Sequence, residues 1–546
     1  MPKELAQVLA YHQATKHSFT AYAHGPAYLD QATQPNPFRR YIGTPLIKLE
    51  QVQCGEEPSY ESAFLKGQIS PALLNLQSIS QLFYDSLALS AWKRAGNATW
   101  SLRINPSSGN LHPTEGYIIC GPVSGLCKTP TVCHYAVMEH GMEVRAEFPL
   151  STWNEMTVQL PKDVVLVGFT SIHWREAWKY GERAYRYCQL DIGHAVAAVS
   201  IAASGLGWQA TLLDDIGTEE LSNLLGTFEP HGAETEHPDC ILAVYPQGKE
   251  YRGFKLPGEF FETFKTISWQ GKPNQLSPDH IEWPIIGTVE EATKKPQSNE
   301  IEGSIPLNLK PLSIDTKTFA LRSIIHQRRS AVAMDGLTAI PRNIFYKILE
   351  KTLAGPERIP FNGLPWSPFI HLLLFVHRVK DLEAGLYILM RNSEKSEPLK
   401  SAMSGRFLWE RPEGLPVGLD LYRLTRGDVR TLSRELSCHQ EIASDGCFSL
   451  GMIADFDEPL KQLGPWSYPR LFWECGMIGQ ILYLEAEAAG IRGTGIGCFF
   501  DDPVHELLGL DTKKNQYQDL YHFTLGKPVE DTRITTLPAY PKKQRT

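Results

Sequence analysis

The sequence predicts an α+β protein of two tandem domains, and three observations carry that prediction. At 546 residues the chain is too long for one hydrophobic core. Short apolar, β-branched runs alternate with Ala- and Leu-rich stretches long enough for helices. The order of these elements is also the same in both halves: early helix, loop, strands, long helix, glycine-rich exit, last strand.

Residues 1–60 read as an irregular N-terminal extension, marked by Pro35-Asn36-Pro37. A first domain over 61–260 holds a strand at Gly116–Cys120, a hairpin around Cys133–Met138 and Met142–Val144, and a strand at Val164–Phe169. The helix Arg183–Ala203 and the strand Ile241–Tyr245 complete it. Residues 261–312, rich in Pro, Lys, Glu, Asn, Ser and Gln, read as a linker. The second domain, 313–546, opens with a helix to Gln327. It continues through strands at Phe369–Val376 and Ala384–Met390, a long helix Pro469–Ala489, a glycine-rich exit at 493–497 and a strand Leu520–Leu525.

Composition narrows the function classes. Hydrophobic residues at 42% and charged residues at 21% exclude general disorder and fibrous repeats. A net charge of −8 without a basic stripe argues against nucleic-acid binding. The ten cysteines form no CxxC pair and no zinc spacing, so they read as reduced thiols of a cytoplasmic protein with no metal site. No signal peptide and no membrane span are expected.

The most informative segment is Arg103-Ile104-Asn105-Pro106-Ser107-Ser108-Gly109-Asn110, followed by Leu111-His112-Pro113 and then a strand. Prolines and a Ser-Ser-Gly-Asn core break regular structure and leave hydroxyls, amides and backbone N–H groups for a polar ligand; an ordinary surface turn is the alternative. Arg328-Arg329-Ser330 offers two guanidinium forks and a hydroxyl to an anion, with solvated charge as the alternative. Gly493-Thr494-Gly495-Ile496-Gly497 follows a helix rather than a strand, which disfavours a dinucleotide fingerprint. It reads as a close-approach stretch or a helix C-cap. Asp191 and His194 share one helix face, where a core histidine is the simpler reading.

These motifs together resemble the FMN-dependent nitroreductase superfamily, and in particular its SagB-type dehydrogenase branch, which includes thiazoline and oxazoline oxidases. The resemblance implies that each domain is a central, largely antiparallel sheet flanked by helices, and that the tandem chain forms a dimer-like pair within itself. It implies FMN held by Arg103, Pro106, Ser107, Ser108 and Asn110 from the first half. From the second half would come Arg328, Arg329, Ser330, Gly495, Ile496, Gly497, Lys542 and Lys543. In Trp178-Lys179-Tyr180-Gly181-Glu182-Arg183 it implies a catalytic Lys179-Tyr180 pair for proton abstraction.

The second half shows Gly363-Leu364-Pro365-Trp366-Ser367-Pro368 where its own loop belongs, and the first half shows no Arg-Arg-Ser. One composite flavin site and one decayed site are therefore expected. The substrate is expected to be a small molecule or a peptide. Two alternatives remain: an NAD(P)H-dependent nitro or quinone reductase, and a non-catalytic tandem protein that binds flavin or peptide.

Overall fold

Strands buried on both faces need apolar residues at nearly every position, and the two predicted halves supply them twice over. The computed structural model describes residues 1–52, 54–249, 251–297 and 319–540. In chain order the first half forms α1 (Lys3–Ala14), β1 (Leu46–Lys48), β2 (Leu89–Ala95), β3 (Ala98–Arg103), β4 (Thr114–Cys120), β5 (Thr131–Ala136) and β6 (Gly141–Glu147). It continues with β7 (Val165–Ser171), α2 (His173–Tyr180), α3 (Ala184–Ser204), β8 (Trp208–Leu212) and β9 (His237–Pro246). Then come α4 (Gly258–Thr266) and α5 (Pro284–Ala292).

The second half forms α6 (Leu321–Gln327), β10 (Ile370–Val376), β11 (Gly385–Leu389), β12 (Leu421–Arg426), β13 (Phe448–Asp455) and α7 (Tyr468–Ala488). It ends with β14 (Arg492–Ile496), α8 (Asp501–Leu508), β15 (Tyr517–Gly526) and β16 (Thr535–Leu537).

The first sheet runs β1-β6-β5-β4-β7-β9-β8 and the second β12-β11-β10-β13-β15-β14, antiparallel throughout. Without the edge strand β1 the two orders coincide, which is the duplication that the element order predicts. Registers agree as well: Trp208 pairs with Pro246, the last residue of β9, and Arg492 with Gly526, the last of β15. Counting along the strands, Thr211 therefore occupies the place of Gly495, and Leu213 that of Gly497.

The halves meet along α3 and α7, both 21 residues long and buried along almost their whole length. They cross backbone to backbone at two glycines. A Cβ on Gly476 would lie 2.8 Å from Gly193 Cα and would overlap the Leu190 carbonyl, while one on Gly193 would overlap the Trp473 carbonyl. The chain ends then clasp the opposite halves. On α1, His12 bonds Tyr468 and Gln518 of the second half at 3.1 and 3.0 Å. Strand β16 pairs with β2 of the first half, beside the β2–β3 hairpin.

Two expectations are corrected. Residues 1–60 are not irregular throughout: α1 buries Leu5, Val8, Tyr11 and His12 at helical spacing, and β1 edges the first sheet. The predicted linker is largely structured up to residue 297. There α4 sinks Phe260, Phe261 and Phe264 into the core of the first half, and α5 buries Ile286 and Val289. Three phenylalanines within five residues outweigh a polar average, because burial is decided face by face. The remainder of that linker, like Lys542 and Lys543, lies outside the described residues. Among the described residues no helix is long and apolar enough to cross a membrane.

Candidate active site between the two halves

The Pro-Ser-Ser loop leaves β3 and returns into β4, two strands that belong to different sheets, so it must turn sharply. Gly109, Asn110 and His112 adopt left-handed backbone at φ 62°, 56° and 53°. Gly109 also has no room for a side chain: a Cβ there would lie 2.8 Å from the Tyr180 hydroxyl and 3.1 Å from Lys179 Nζ. The loop core thus rests directly on the end of α2.

Two buried carboxyls hold the loop from below. Ser107 Oγ donates to Glu176 Oε1 at 3.3 Å, and the Ser108 N–H to Asp191 Oδ1 at 3.3 Å. Burial pushes Asp191 up to about 8, and burial with the neighbouring Asp191 pushes Glu176 well above the carboxyl range. Both shifts favour the protonated carboxyl, and Asp191 keeps its proton at neutral pH.

The sign for stability follows from linkage. An Asp191 raised from about 4 in the unfolded chain contributes fully below that value, and the contribution is lost as pH rises through about 8. Between about pH 6 and about pH 9 the wild type should lose melting temperature more steeply than Asp191→Asn, whose amide does not ionise. Parallel slopes for the two proteins would refute this assignment. His194 takes no part: it sits between Gln480 and Tyr521 at 3.3 Å each, and burial keeps it neutral, near 3.

On the other side of the loop lies a cavity of about 180 Å³ lined by both halves. Arg103, Pro106, Ser107 and Asn110 enter it from the first half, Arg328, Arg329 and Ser330 from the second. Two further cations that the sequence reading missed, Lys93 and Arg492, also line it with Thr536 of β16, as do two acids, Asp531 and Glu530, the latter paired with Arg492 at 2.8 Å.

The arginines are short of negative partners. Arg328 is buried and donates to the Arg103 and Ile104 carbonyls at 3.0 and 3.4 Å, and Arg329 donates only to the carbonyls of His326, Arg328 and Ser90. The Nε atoms of Arg103, Arg328 and Arg329 are buried without a partner. Burial first, then Arg328 and Arg492, draw Arg329 down to about 10, and burial with Arg329 lowers Lys93. Neighbouring guanidinium groups of Arg328 and Arg329 without ion-pair partners make a site that favours an anion with several acceptor oxygens. Such a donor set fits a phosphate group.

Other expected residues stand differently. Arg103 lines the cavity, but both its Nη atoms are committed to the Thr114 and Pro37 carbonyls, so it positions the loop. The glycine stretch is strand β14, not a helix C-cap, and its glycines answer to protein packing. A Cβ on Gly495 would overlap the Tyr521 hydroxyl, and one on Gly497 the Tyr187 ring. The Gly495 N–H donates to the Tyr483 hydroxyl at 3.0 Å, which also accepts from Ser330 Oγ at 3.0 Å, so that amide is already used inside the protein. Ile496 is buried. Ser108 is absent from the cavity wall because its amide turns toward Asp191. Lys179 and Tyr180 face the loop at Gly109, with their own rims formed by Tyr187, 4.6 Å from the Tyr180 ring. Burial, then Glu176, holds Tyr180 as a phenol.

The pseudo-equivalent place in the other half is filled. The turn Phe361–Gly363 presses Gly363 against the Ala210 carbonyl of β8. Thr211 and Leu213 stand where the second half has Gly495 and Gly497. Six residues before the crossing glycine, where α3 has Tyr187, α7 has Arg470. That buried arginine pairs with Asp214 and lies 4.6 Å from the Trp366 ring and 4.2 Å from the Trp466 ring. The cavity left beside it is about 60 Å³.

Known proteins agree with this architecture. No family model matches the chain. Over 106 residues it is 27% identical to a candidate nitroreductase of Methanocaldococcus jannaschii, a stretch that is 19% of this chain and 52% of that protein. The chain thus matches about half the length of that curated relative. The crystal structure of a candidate nitroreductase from Anabaena variabilis is similar with a TM-score of 0.68 at 23% identity, covering 96% of this chain and 99% of that one. The tandem fold of that structure therefore extends over 96% of this chain. A chain of the E. coli microcin synthetase complex, solved with a truncated pro-microcin bound, matches 42% of this chain and 80% of its own at 18% identity, with a TM-score of 0.29.

Proposed function

We propose that this protein is an FMN-dependent oxidoreductase of the SagB-type dehydrogenase kind, with one composite cofactor site between its halves. The observation that carries the proposal is the buried Arg328 and half-buried Arg329, neither ion-paired with a carboxylate, opposite the Pro106–Asn110 loop. Arg328, Arg329 and Ser330 would hold the phosphate, with Lys93 and Arg492 adding charge and the loop supplying polar contacts. When bound, FMN supplies a two-electron hydride acceptor or donor at N5.

The residues of the chain then divide the remaining work. Tyr180, held as a phenol, donates a hydrogen bond and orients the substrate. Lys179, half-buried at the end of α2, is the group placed to take the second proton when a C–N or C–C bond is oxidised. The substrate proposed is a small molecule or an azoline-bearing peptide.

Reconstitution tests the site. One FMN per chain, read from flavin absorbance against protein, is expected; two would overturn the composite-site reading, and none would favour a non-catalytic binding role. Lys179→Ala tests the chemistry. A fall of roughly 100- to 10,000-fold is expected in azoline oxidation, with unchanged turnover of NAD(P)H and a nitroaromatic. Full azoline oxidation by the variant would remove Lys179 as the base and favour the nitro- or quinone-reductase reading.

A further inference from the structure

Cys438 and Cys498 lie far apart in the chain, yet their sulfurs approach to 2.7 Å. Cys498 follows Gly497 directly, and Cys438 sits on left-handed backbone at φ 52°, which turns its side chain across to meet it. Gln440 donates to the Cys498 carbonyl at 3.0 Å and ties the two segments together. Both thiols are half-buried.

The surroundings treat the two sulfurs unequally. The Ala23 N–H donates to His17 Nδ1 at 2.9 Å, so neutral His17 carries its proton on Nε2. His17 hydrogen-bonds Cys498, and Arg183, which donates to the Gly497 carbonyl at 3.2 Å, adds positive charge. The contact with Cys438, then His17 and Arg183, hold Cys498 below the usual thiol range, whereas the same contact and burial push Cys438 up. One sulfur is thus prepared to attack and the other to resolve.

We propose that Cys438 and Cys498 are a redox-active dithiol that small disulfides oxidise to an intramolecular disulfide, at the segment flanking the candidate cofactor site. In the first step the Cys498 thiolate attacks one sulfur of a disulfide RSSR; its S–S bond breaks, a Cys498–SR bond forms, and RS⁻ leaves and takes a proton from water. In the second step Cys438 loses its proton and attacks the Cys498 sulfur, which releases the second RS⁻ to take that proton. The two thiols together lose two electrons and two protons, and RSSR becomes two RSH. The inference does not depend on flavin binding.

Reduced full-length protein equilibrated with glutathione buffers of increasing oxidation tests it. Peptide mapping should find a Cys438–Cys498 bridge and the loss of those two thiols from the ten. Iodoacetamide at neutral pH should alkylate Cys498 at least about 10-fold faster than Cys438. Cys438→Ser should trap Cys498 as a stable mixed disulfide with glutathione, and Cys498→Ser should leave Cys438 unmodified. The nearest rival, Cys120 and Cys127 at 3.7 Å, has one sulfur fully buried and should stay reduced. Wild-type mapping that shows no 438–498 bridge at any glutathione ratio, or a bridge at 120–127 instead, would overturn the proposal without recourse to any variant.

Discussion

Asp501→Asn is expected to lower stability by about 3–5 kcal/mol, because it removes the single negative charge from a buried trio. Asp501 opens α8 in the second half and reaches two arginines on and before α3 in the first, with Arg183 Nη1 at 3.0 Å and Arg186 Nη1 at 2.7 Å. It also accepts the His17 N–H at 2.9 Å. All three charged side chains are almost fully buried, so solvent does not screen them. Asparagine keeps the shape and one acceptor but leaves two guanidinium groups uncompensated in low dielectric.

The pH dependence has a definite sign. Arg183 and Arg186 hold Asp501 well below the usual carboxylate range, so its contribution is complete above about pH 4 and disappears as the pH falls toward its folded value. The wild type should lose stability on acidification, while Asp501→Asn should start lower and lose less. Urea-unfolding midpoints at two pH values measure both effects. A variant midpoint equal to that of the wild type would mean that the trio is not what fastens the halves together.

How much of this was legible in the sequence depends on whether the signal was local. Strands such as Ile370–Val376 and the long helices were readable because their apolar runs are contiguous. The Pro-Ser-Ser loop and Arg328-Arg329-Ser330 were legible as motifs, and residues of both line one cavity. What escaped was nonlocal or masked by its surroundings. Glu176 and Asp191 sit on two helices and acquire their meaning only from sharing Ser107 and Ser108. The ion pair of Asp214 with Arg470 joins residues more than 250 positions apart, beyond any spacing rule. Helix α1 did show Leu5, Val8, Tyr11 and His12 at helical intervals, but Pro2 supplies no side-chain cap and the signal was overlooked. Gly495 and Gly497 suggest a ligand-facing stretch in the sequence, whereas Tyr521 and Tyr187 account for them, because sequence does not tell which neighbour needs the missing Cβ.

Arg329→Gln should weaken FMN binding roughly 10- to 100-fold, since a charge-assisted contact is worth about 1.5–3 kcal/mol and each 1.4 kcal/mol is about tenfold in Kd. The double change of Arg328 and Arg329 should reach roughly 100- to 10,000-fold, with less than full additivity because the two groups are adjacent. The single variant is the cleaner test. Arg328 also clamps the Arg103 and Ile104 carbonyls, so its loss loosens the loop itself. Arg329 bonds only carbonyls on its own rim, and of the nearby charges Arg328 and Arg492 repel it while Glu487 attracts it. Removing its charge relieves the repulsion and the cost of its burial, which offset the lost attraction to Glu487, so the flavin-free Arg329→Gln protein should melt no lower than flavin-free wild type. A site kept for ligand binding at the expense of stability shows this opposed pair of effects, whereas a structural arginine shows a loss of both. Arg329→Lys should fall between, because it keeps the charge and loses the two-pronged donor. Equilibrium dialysis and thermal melts of the same preparations decide the matter: an FMN affinity unchanged within about twofold would mean that this cavity does not hold the phosphate.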